Sequence, residues 1–216
     1  MKKFLLVMLV IGGLIMIGLS SCASSEVKKG SREDIEQQLD EMKKVYPTKN
    51  VEDLFEIFPD GFEIKQTISK RDGYIRLILS GNPQNKTIEG ILEKNKDKIS
   101  VIYKDNHLIS SEGKSVSSLW PYKGFIFQNF TISSKILENY DMISKNYIYE
   151  NGGYSIKYFN DNTSINLFLD WPQDTTFEMR LSGSKDNKLD GYHHSLQIEF
   201  KNCRFTESII DVKYRN

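Results

Sequence analysis

Cys22 is the residue whose chemistry the sequence defines most sharply. It follows Leu19, Ser20 and Ser21, which close an uncharged apolar run over residues 4–19. A cysteine thiolate is a strong nucleophile and can accept a lipid group. The two small serines suit the cleft of a peptidase that cuts just before the cysteine. This spacing predicts a thiol that is modified and then becomes the mature N-terminus.

The segment before Cys22 has the layout of a secretory signal peptide. Lys2 and Lys3 form a positive start, and the apolar run 4–19 is shorter than the ~20 residues that span a hydrocarbon core. We therefore expect residues 1–21 to be removed. The alternative is an uncleaved N-terminal anchor in which Cys22 is incidental.

Leu19-Ser-Ser-Cys22 resembles the lipobox of bacterial lipoproteins. The resemblance implies a thioether between Cys22 and diacylglycerol, with a further acyl chain (palmitate, for example) as an option on the amino group. Two acyl chains hold a protein stably on a membrane, whereas one chain does not. The implied location is the extracytoplasmic face of the cell membrane, with the lipid on Cys22 as the membrane contact.

Residues 22–31 are small, polar and charged, and we interpret them as a flexible tether. Residues 32–216 then form one globular domain, which at this length has enough material for a hydrophobic core. The chain has 29 basic and 29 acidic residues and no formal net charge. This balance removes any general electrostatic reason to bind nucleic acid.

The predicted fold class is α+β, with an antiparallel β-sheet, N-terminal helices and one further helix near 135–145. Ser31 and Asn50 are helix N-cap candidates, and Pro47 ends the first helix. Asn151-Gly-Gly153 between two Tyr-rich runs indicates a β-hairpin. The remaining predicted strands are 74–79, 87–92, 99–103, 108–109, 165–169, 177–181, 196–200 and 209–214.

The sequence offers little catalytic or metal-binding chemistry. His193 and His194 are adjacent, so on a strand they point to opposite faces and do not bind one metal ion together. Glu178, Glu199 and Asp170 lie in or beside predicted strands and form the one candidate acid–base group, of the kind that glycosidases use. We expect no catalytic residues, no metal site and no cofactor.

Two further features each leave two readings open. Cys203 is either a reactive thiol or a half-buried residue at the end of a strand. Trp120-Pro121-Tyr122 and Trp171-Pro172 either line a ligand groove or cap turns.

Several stretches of the mature chain resemble the staphylococcal tandem lipoproteins, the Csa1 family. They are Tyr46-Pro-Thr-Lys-Asn-Val-Glu-Asp-Leu54, Thr87-Ile-Glu-Gly-Ile-Leu92, Leu181-Ser-Gly-Ser184, Asp190-Gly-Tyr192 and Leu196-Gln-Ile-Glu-Phe200. The resemblance implies a lipid-anchored protein of a Gram-positive envelope with no established enzymatic activity, linked to host interaction. Only Cys22 lies in a family motif with a defined role.

These observations favour a non-enzymatic binding module that the lipid on Cys22 holds at the cell surface, facing host or envelope partners. One alternative is a hydrolase of envelope glycans with a converging carboxylate pair. The other is an immunity-type protein against a secreted toxin.

Overall fold

The computed structural model describes residues 27–184 and 193–212. The signal-peptide and lipobox predictions, including Leu19, Ser20, Ser21 and Cys22, lie outside the described residues. So do Asp190-Gly-Tyr192 and the end of the strand predicted over 209–214.

In the part of the chain that the structure describes, ten antiparallel strands form one sheet. In chain order they are β1 Phe62–Lys70, β2 Gly73–Asn82, β3 Thr87–Lys94, β4 Asp97–Lys104, β5 His107–Ser110, β6 Met142–Ile148, β7 Gly153–Asn160, β8 Phe177–Ser184, β9 His193–Phe200 and β10 Cys203–Asp211. Their order across the sheet is β5-β4-β3-β2-β1-β10-β9-β8-β7-β6. Two meanders of consecutive strands therefore meet where β1 pairs with β10, from Phe62↔Asp211 to Ser69↔Arg204.

The described helices are short. They are α1 Arg32–Gln38, α2 Leu54–Ile57, α3 Ser134–Leu137 and α4 Thr163–Phe168, with 3₁₀ segments at Leu39–Lys44, Val51–Asp53 and Ile126–Gln128. The N-cap prediction for Ser31 is confirmed, because its side chain accepts a hydrogen bond from the backbone N–H of Asp34. At Asn50, the backbone N–H donates to the Asp53 carboxylate at 3.3 Å.

The alternation of side chains gives the sheet an apolar face and a polar face. On β1, Phe62, Ile64 and Ile68 are buried, and the neighbouring strands continue this face. Two segments contribute buried side chains to the same core cluster and so cover the apolar face. They are the N-terminal segment, residues 35–58, and the covering segment, residues 116–137. The other face carries mainly charged, serine and threonine side chains.

The expected α+β class is met only in part, because the sheet dominates and the helices are few and short. The helix expected near 135–145 is a single turn over Ser134–Leu137, and from Met142 the chain pairs with β7 instead. The strand expected over 165–169 is wrong. There the side chain of Asn162 accepts from the N–H of Ile165 and starts α4.

The hairpin predicted at Asn151-Gly-Gly153 is confirmed. It joins β6 to β7, with Gly152 at φ 65°, and the Asn151 side chain accepts from the N–H of Gly153 at 2.9 Å.

Candidate binding groove at Tyr122

Pro121 and Tyr122 border three cavities on the apolar side of the sheet. The first, of about 240 Å³, lies between residues 115–125 and strands β4 and β5. The second, of about 250 Å³, lies against the β1–β2 hairpin and the end of β3. The third, of about 610 Å³, lies against α4. We call the three together the Tyr122 groove.

Ring contacts hold Tyr122 between the cavities. Its ring stacks on Phe168 at 5.3 Å between centroids. It also meets Trp120 and Phe205 edge-on, at 5.7 and 5.8 Å. Phe205 is fully buried on β10, so the cluster ties Tyr122 to the sheet. Stacked and edge-on pairs of this kind restrict ring motion and add to the energy of burial. The wall between the cavities is thus a fixed part of the fold.

The buried carboxylate of Glu207 holds the covering segment at residues 126 and 127, beyond Tyr122. Glu207 Oε2 accepts from the backbone N–H of Ile126 at 2.9 Å, and Oε1 accepts from the N–H of Phe127 at 3.1 Å. The same carboxylate accepts from the Tyr46 hydroxyl at 3.0 Å and from the Gln66 amide at 2.7 Å. Glu207 therefore joins β10 and β1 to the N-terminal segment and to the groove's covering segment.

Burial raises the pKa of Glu207 to about 7, while its four hydrogen bonds act in the opposite direction. All four hydrogen-bond donors to Glu207 are buried groups of the protein itself. The contacts of Glu207 are those of a structural clamp.

The first cavity combines apolar walls with tyrosine and asparagine side chains, and Lys123 lies at its border. Leu77, Leu108 and Val116 line it together with Tyr103, whose hydroxyl lies 3.4 Å from Oδ1 of Asn106. Burial raises the pKa of Tyr103 and of Tyr122 to about 12 in each case. Both hydroxyls are therefore protonated at neutral pH. These walls and hydroxyls offer a bound group apolar contact and hydrogen bonds.

The outer cavities have charged rims. Lys70, Asp72 and Lys94 border the second cavity. Lys123 and Asp170 border the third, where Leu167 is 59% exposed. A groove with an apolar, aromatic centre and a mixed-charge rim is typical of a recognition site.

The structure divides the two aromatic motifs found in the sequence. Trp120-Pro121-Tyr122 lies in the groove. Trp171 instead packs on Phe177 and Phe200, with ring centroids 6.1 and 5.1 Å apart. The groove reading fits the first motif, and the turn reading fits the second.

The candidate acid–base group does not assemble. Glu178 and Glu199 are cross-strand neighbours on the polar face, and Lys157 Nζ lies 2.6 Å from Glu178 and 3.9 Å from Glu199. Arg204 Nε also pairs with Glu199 at 2.6 Å. Asp170 lies on the other side of the sheet, at the third cavity. Lys157 and Arg204 pair with the two glutamates, so these four side chains form an ion-pair network.

The side chains of His193 and His194 point to opposite faces of the sheet, as expected for adjacent residues on a strand. His193 is exposed and His194 is buried, with its Nε2 2.8 Å from the Tyr154 hydroxyl. Burial is the main cause that lowers the pKa of His194 to about 4. Among residues 27–184 and 193–212, no cluster of His, Cys, Asp and Glu is arranged to hold a metal ion.

Cys203 is half-buried at the start of β10, and burial raises the pKa of its thiol. A raised pKa lowers the thiolate fraction at neutral pH, so the reading as a half-buried strand-end residue fits better.

Comparison with known proteins gives only weak structural likeness. No protein-family model and no curated protein matches the chain. One solved structure that the chain matches weakly is the lipoprotein LppX of Mycobacterium tuberculosis, at 7% sequence identity and a TM-score of 0.44. The match covers 74% of this chain and 90% of LppX. In the part of the chain that the structure describes, no helix is long and apolar enough to cross a membrane.

Proposed function

We propose that this protein is a lipid-anchored lipoprotein of the cell envelope whose outer domain is a non-catalytic binding module. In this proposal Cys22 carries the lipid, residues 22–31 form the tether, and the chain is a member of the staphylococcal tandem lipoprotein (Csa1) family. The partner is a host or envelope molecule that the Tyr122 groove recognises.

The observation that carries the binding role is the position of Pro121 and Tyr122 at the border of three cavities. Tyr122 is partly exposed and held by three rings, so it presents a rigid aromatic surface. Rigid aromatic groups are the usual anchors of recognition because they give a large contact at a low entropic cost. The neutral hydroxyls and the ion-paired glutamates support a non-catalytic role.

Two experiments test the two halves of the proposal separately. The mass of the mature N-terminal peptide from the native organism tests the anchor. We expect a diacylglyceryl or triacyl adduct on Cys22 that is lost in Cys22→Ala. A chain that keeps Met1 and has an unmodified Cys22 would overturn the lipid anchor and the family assignment.

Photo-crosslinking tests the groove. A benzoylphenylalanine placed at Lys123, which is exposed on the rim, is compared with one at Lys98, which is exposed on the polar face. We expect a discrete crosslinked species on intact cells, or with host-cell extract, from position 123 alone. Equal products at both positions, or none at 123, would count against the groove.

A further inference from the structure

Lys29 and Gly30, near the end of the predicted tether 22–31, contact one corner of the sheet, so this end of the tether is held by the domain rather than free. The Lys145 ammonium donates to the carbonyl oxygen of Gly30 at 2.6 Å. The hydroxyl of Tyr149 lies 3.4 Å from the carbonyl oxygen of Lys29. The Lys29 ammonium lies over the Tyr147 and Tyr149 rings, 5.5 and 5.9 Å from their centroids. The chain therefore leaves the domain at the hairpin end of β6.

This corner combines exposed apolar side chains with positive charge. Ile148 is 41% exposed, Tyr149 66% and Val27 43%. Three lysines lie beside them. The acidic groups nearby are Glu150 in the adjoining turn and Asp34, whose carboxylate accepts from the backbone N–H of Gly30 at 2.6 Å. We call this surface the anchor corner, and it consists of Val27, Lys28, Lys29, Lys145, Ile148 and Tyr149.

β6 is an edge strand of the sheet. It lies at one end of the sheet, opposite β5, and six of its seven residues are exposed. These six include Met142 and Ile143 at its far end. A long edge with apolar side chains invites association with other chains unless something covers it.

The length of chain between the corner and Cys22 identifies what lies beside it. Five residue steps separate Cys22 from Val27, which limits the reach to about 18 Å. The β5 edge lies nine strand spacings from β6, about 43 Å along the sheet. A lipid on Cys22 therefore holds the hairpin end of β6, rather than the β5 edge, near the bilayer.

We infer that the anchor corner is a membrane-contact surface that seats the domain on an anionic lipid bilayer with β6 against the lipid. Tyrosine is favoured at the interface between lipid and water, and each lysine near an anionic surface adds attraction. The inference rests on the proposed lipidation of Cys22. It adds an orientation: β6 faces the lipid, and the β5 edge, at the other end of the sheet, lies farther from it.

Site-specific fluorescence on the lipidated full chain tests the orientation. A thiol-reactive fluorophore is attached at Tyr149→Cys or, as the matched control, at Lys104→Cys, both in a Cys203→Ser background. The lipidated sulfur of Cys22 is a thioether and does not react. The protein is reconstituted in phosphatidylglycerol vesicles that contain a lipid-borne quencher. We expect roughly twofold or stronger quenching at 149, consistent with insertion of about 5–10 Å, and little at 104.

Charge reversal tests whether the lysines of the anchor corner contribute to the membrane contact. Replacing Lys28, Lys29 and Lys145 by Glu should abolish the quenching at 149. Replacing Lys96, Lys98 and Lys104 by Glu, in the chain labelled at 149, should leave it unchanged. Equal quenching at 149 and 104, with lipid verified on Cys22 by mass, would overturn the inference and leave the anchor intact. A Cys22 without lipid would overturn the anchor itself, and the inference with it.

Discussion

The hydroxyl of Tyr46 donates to Oε1 of Glu207 at 3.0 Å and thereby joins the N-terminal segment to the last strand. Both residues are buried, and 161 positions of sequence separate them. The same carboxylate accepts the backbone N–H groups of Ile126 and Phe127. The Glu207 side chain therefore holds both covering elements, the N-terminal segment and residues 126–127, against the apolar face of the sheet.

Removal of this carboxylate should destabilise the whole domain. In Glu207→Ala the donors of Tyr46, Gln66, Ile126 and Phe127 stay buried without their acceptor, and each such loss is costly. We expect the free energy of unfolding to fall by about 4 kcal/mol in denaturant titration. Glu89→Ala, an exposed glutamate on β3, is the control and should change it by less than about 0.5 kcal/mol. A similar small effect for Glu207→Ala would show that the clamp is unimportant.

The same group should make stability fall as the pH rises. Burial raises the pKa of Glu207 to about 7 from the ordinary 4.5, so between these values the folded protein keeps a proton that the unfolded chain has lost. The free energy of unfolding should decrease across this window, by up to roughly 3 kcal/mol. Glu207→Gln does not titrate and removes this component. Parallel stability profiles of the two proteins between pH 4.5 and 7 would contradict the assignment.

His194 should act in the opposite sense over an overlapping range. Burial lowers its pKa to about 4 from 6.5, so between these values the unfolded chain binds a proton that the folded protein excludes. The free energy of unfolding should therefore decrease as the pH falls from 6.5 towards 4, by up to about 3 kcal/mol. His194→Gln should remove this acid sensitivity relative to wild type. His193→Gln, on the exposed side of the same strand, should keep it.

Local features of the fold could be predicted from the sequence, whereas long-range pairings could not. The turn at Asn151-Gly-Gly153 is encoded by residues that tolerate positive φ, and Ser31 is a cap by its own side chain. At 165–169 an apolar run favoured a strand, but Asn162 three residues before Ile165 was a cap signal that decided for a helix. The pairing of β1 with β10 depends on packing across the chain and leaves no local pattern.

The clamp residue did leave a signal in the sequence. Phe205 and Ile209 alternate on the apolar face of β10, and Glu207 lies between them in the same phase. Gln66 has the same relation to Ile64 and Ile68 on β1. A polar residue at an apolar position of an alternating strand predicts a buried hydrogen-bonded group. What it bonds to, here the 126–127 backbone, depends on a loop whose path the sequence does not encode locally.

Cys203 should react slowly with thiol reagents. Burial raises the pKa of its thiol, and the side chain is only half exposed at the start of β10. In a Cys22→Ala chain, where Cys203 is the remaining cysteine, maleimide labelling at pH 8 should be roughly tenfold slower when folded than in denaturant. Faster labelling of the folded chain would instead identify an activated thiol.

Tyr122 should support both the fold and recognition, and two substitutions separate these roles. Tyr122→Phe keeps the ring contacts with Trp120, Phe168 and Phe205 and should change the free energy of unfolding by less than about 1 kcal/mol. Tyr122→Ala removes them and should cost about 2 kcal/mol, less than a fully buried ring because Tyr122 is partly exposed. Leu167→Ala, which removes an exposed side chain of the third cavity, is the control for stability.

Crosslinking from position 123 then tests whether the ring contributes to binding. If the ring itself anchors the partner, the crosslinked species should persist in Tyr122→Phe and be lost in Tyr122→Ala, measured at a temperature where both variants are folded. Retention of the crosslink in Tyr122→Ala would mean that other residues of the rim, such as Asp170, recognise the partner without the aromatic wall. Loss in both variants would assign recognition to the hydroxyl, which is protonated at neutral pH because burial raises the pKa of Tyr122 to about 12.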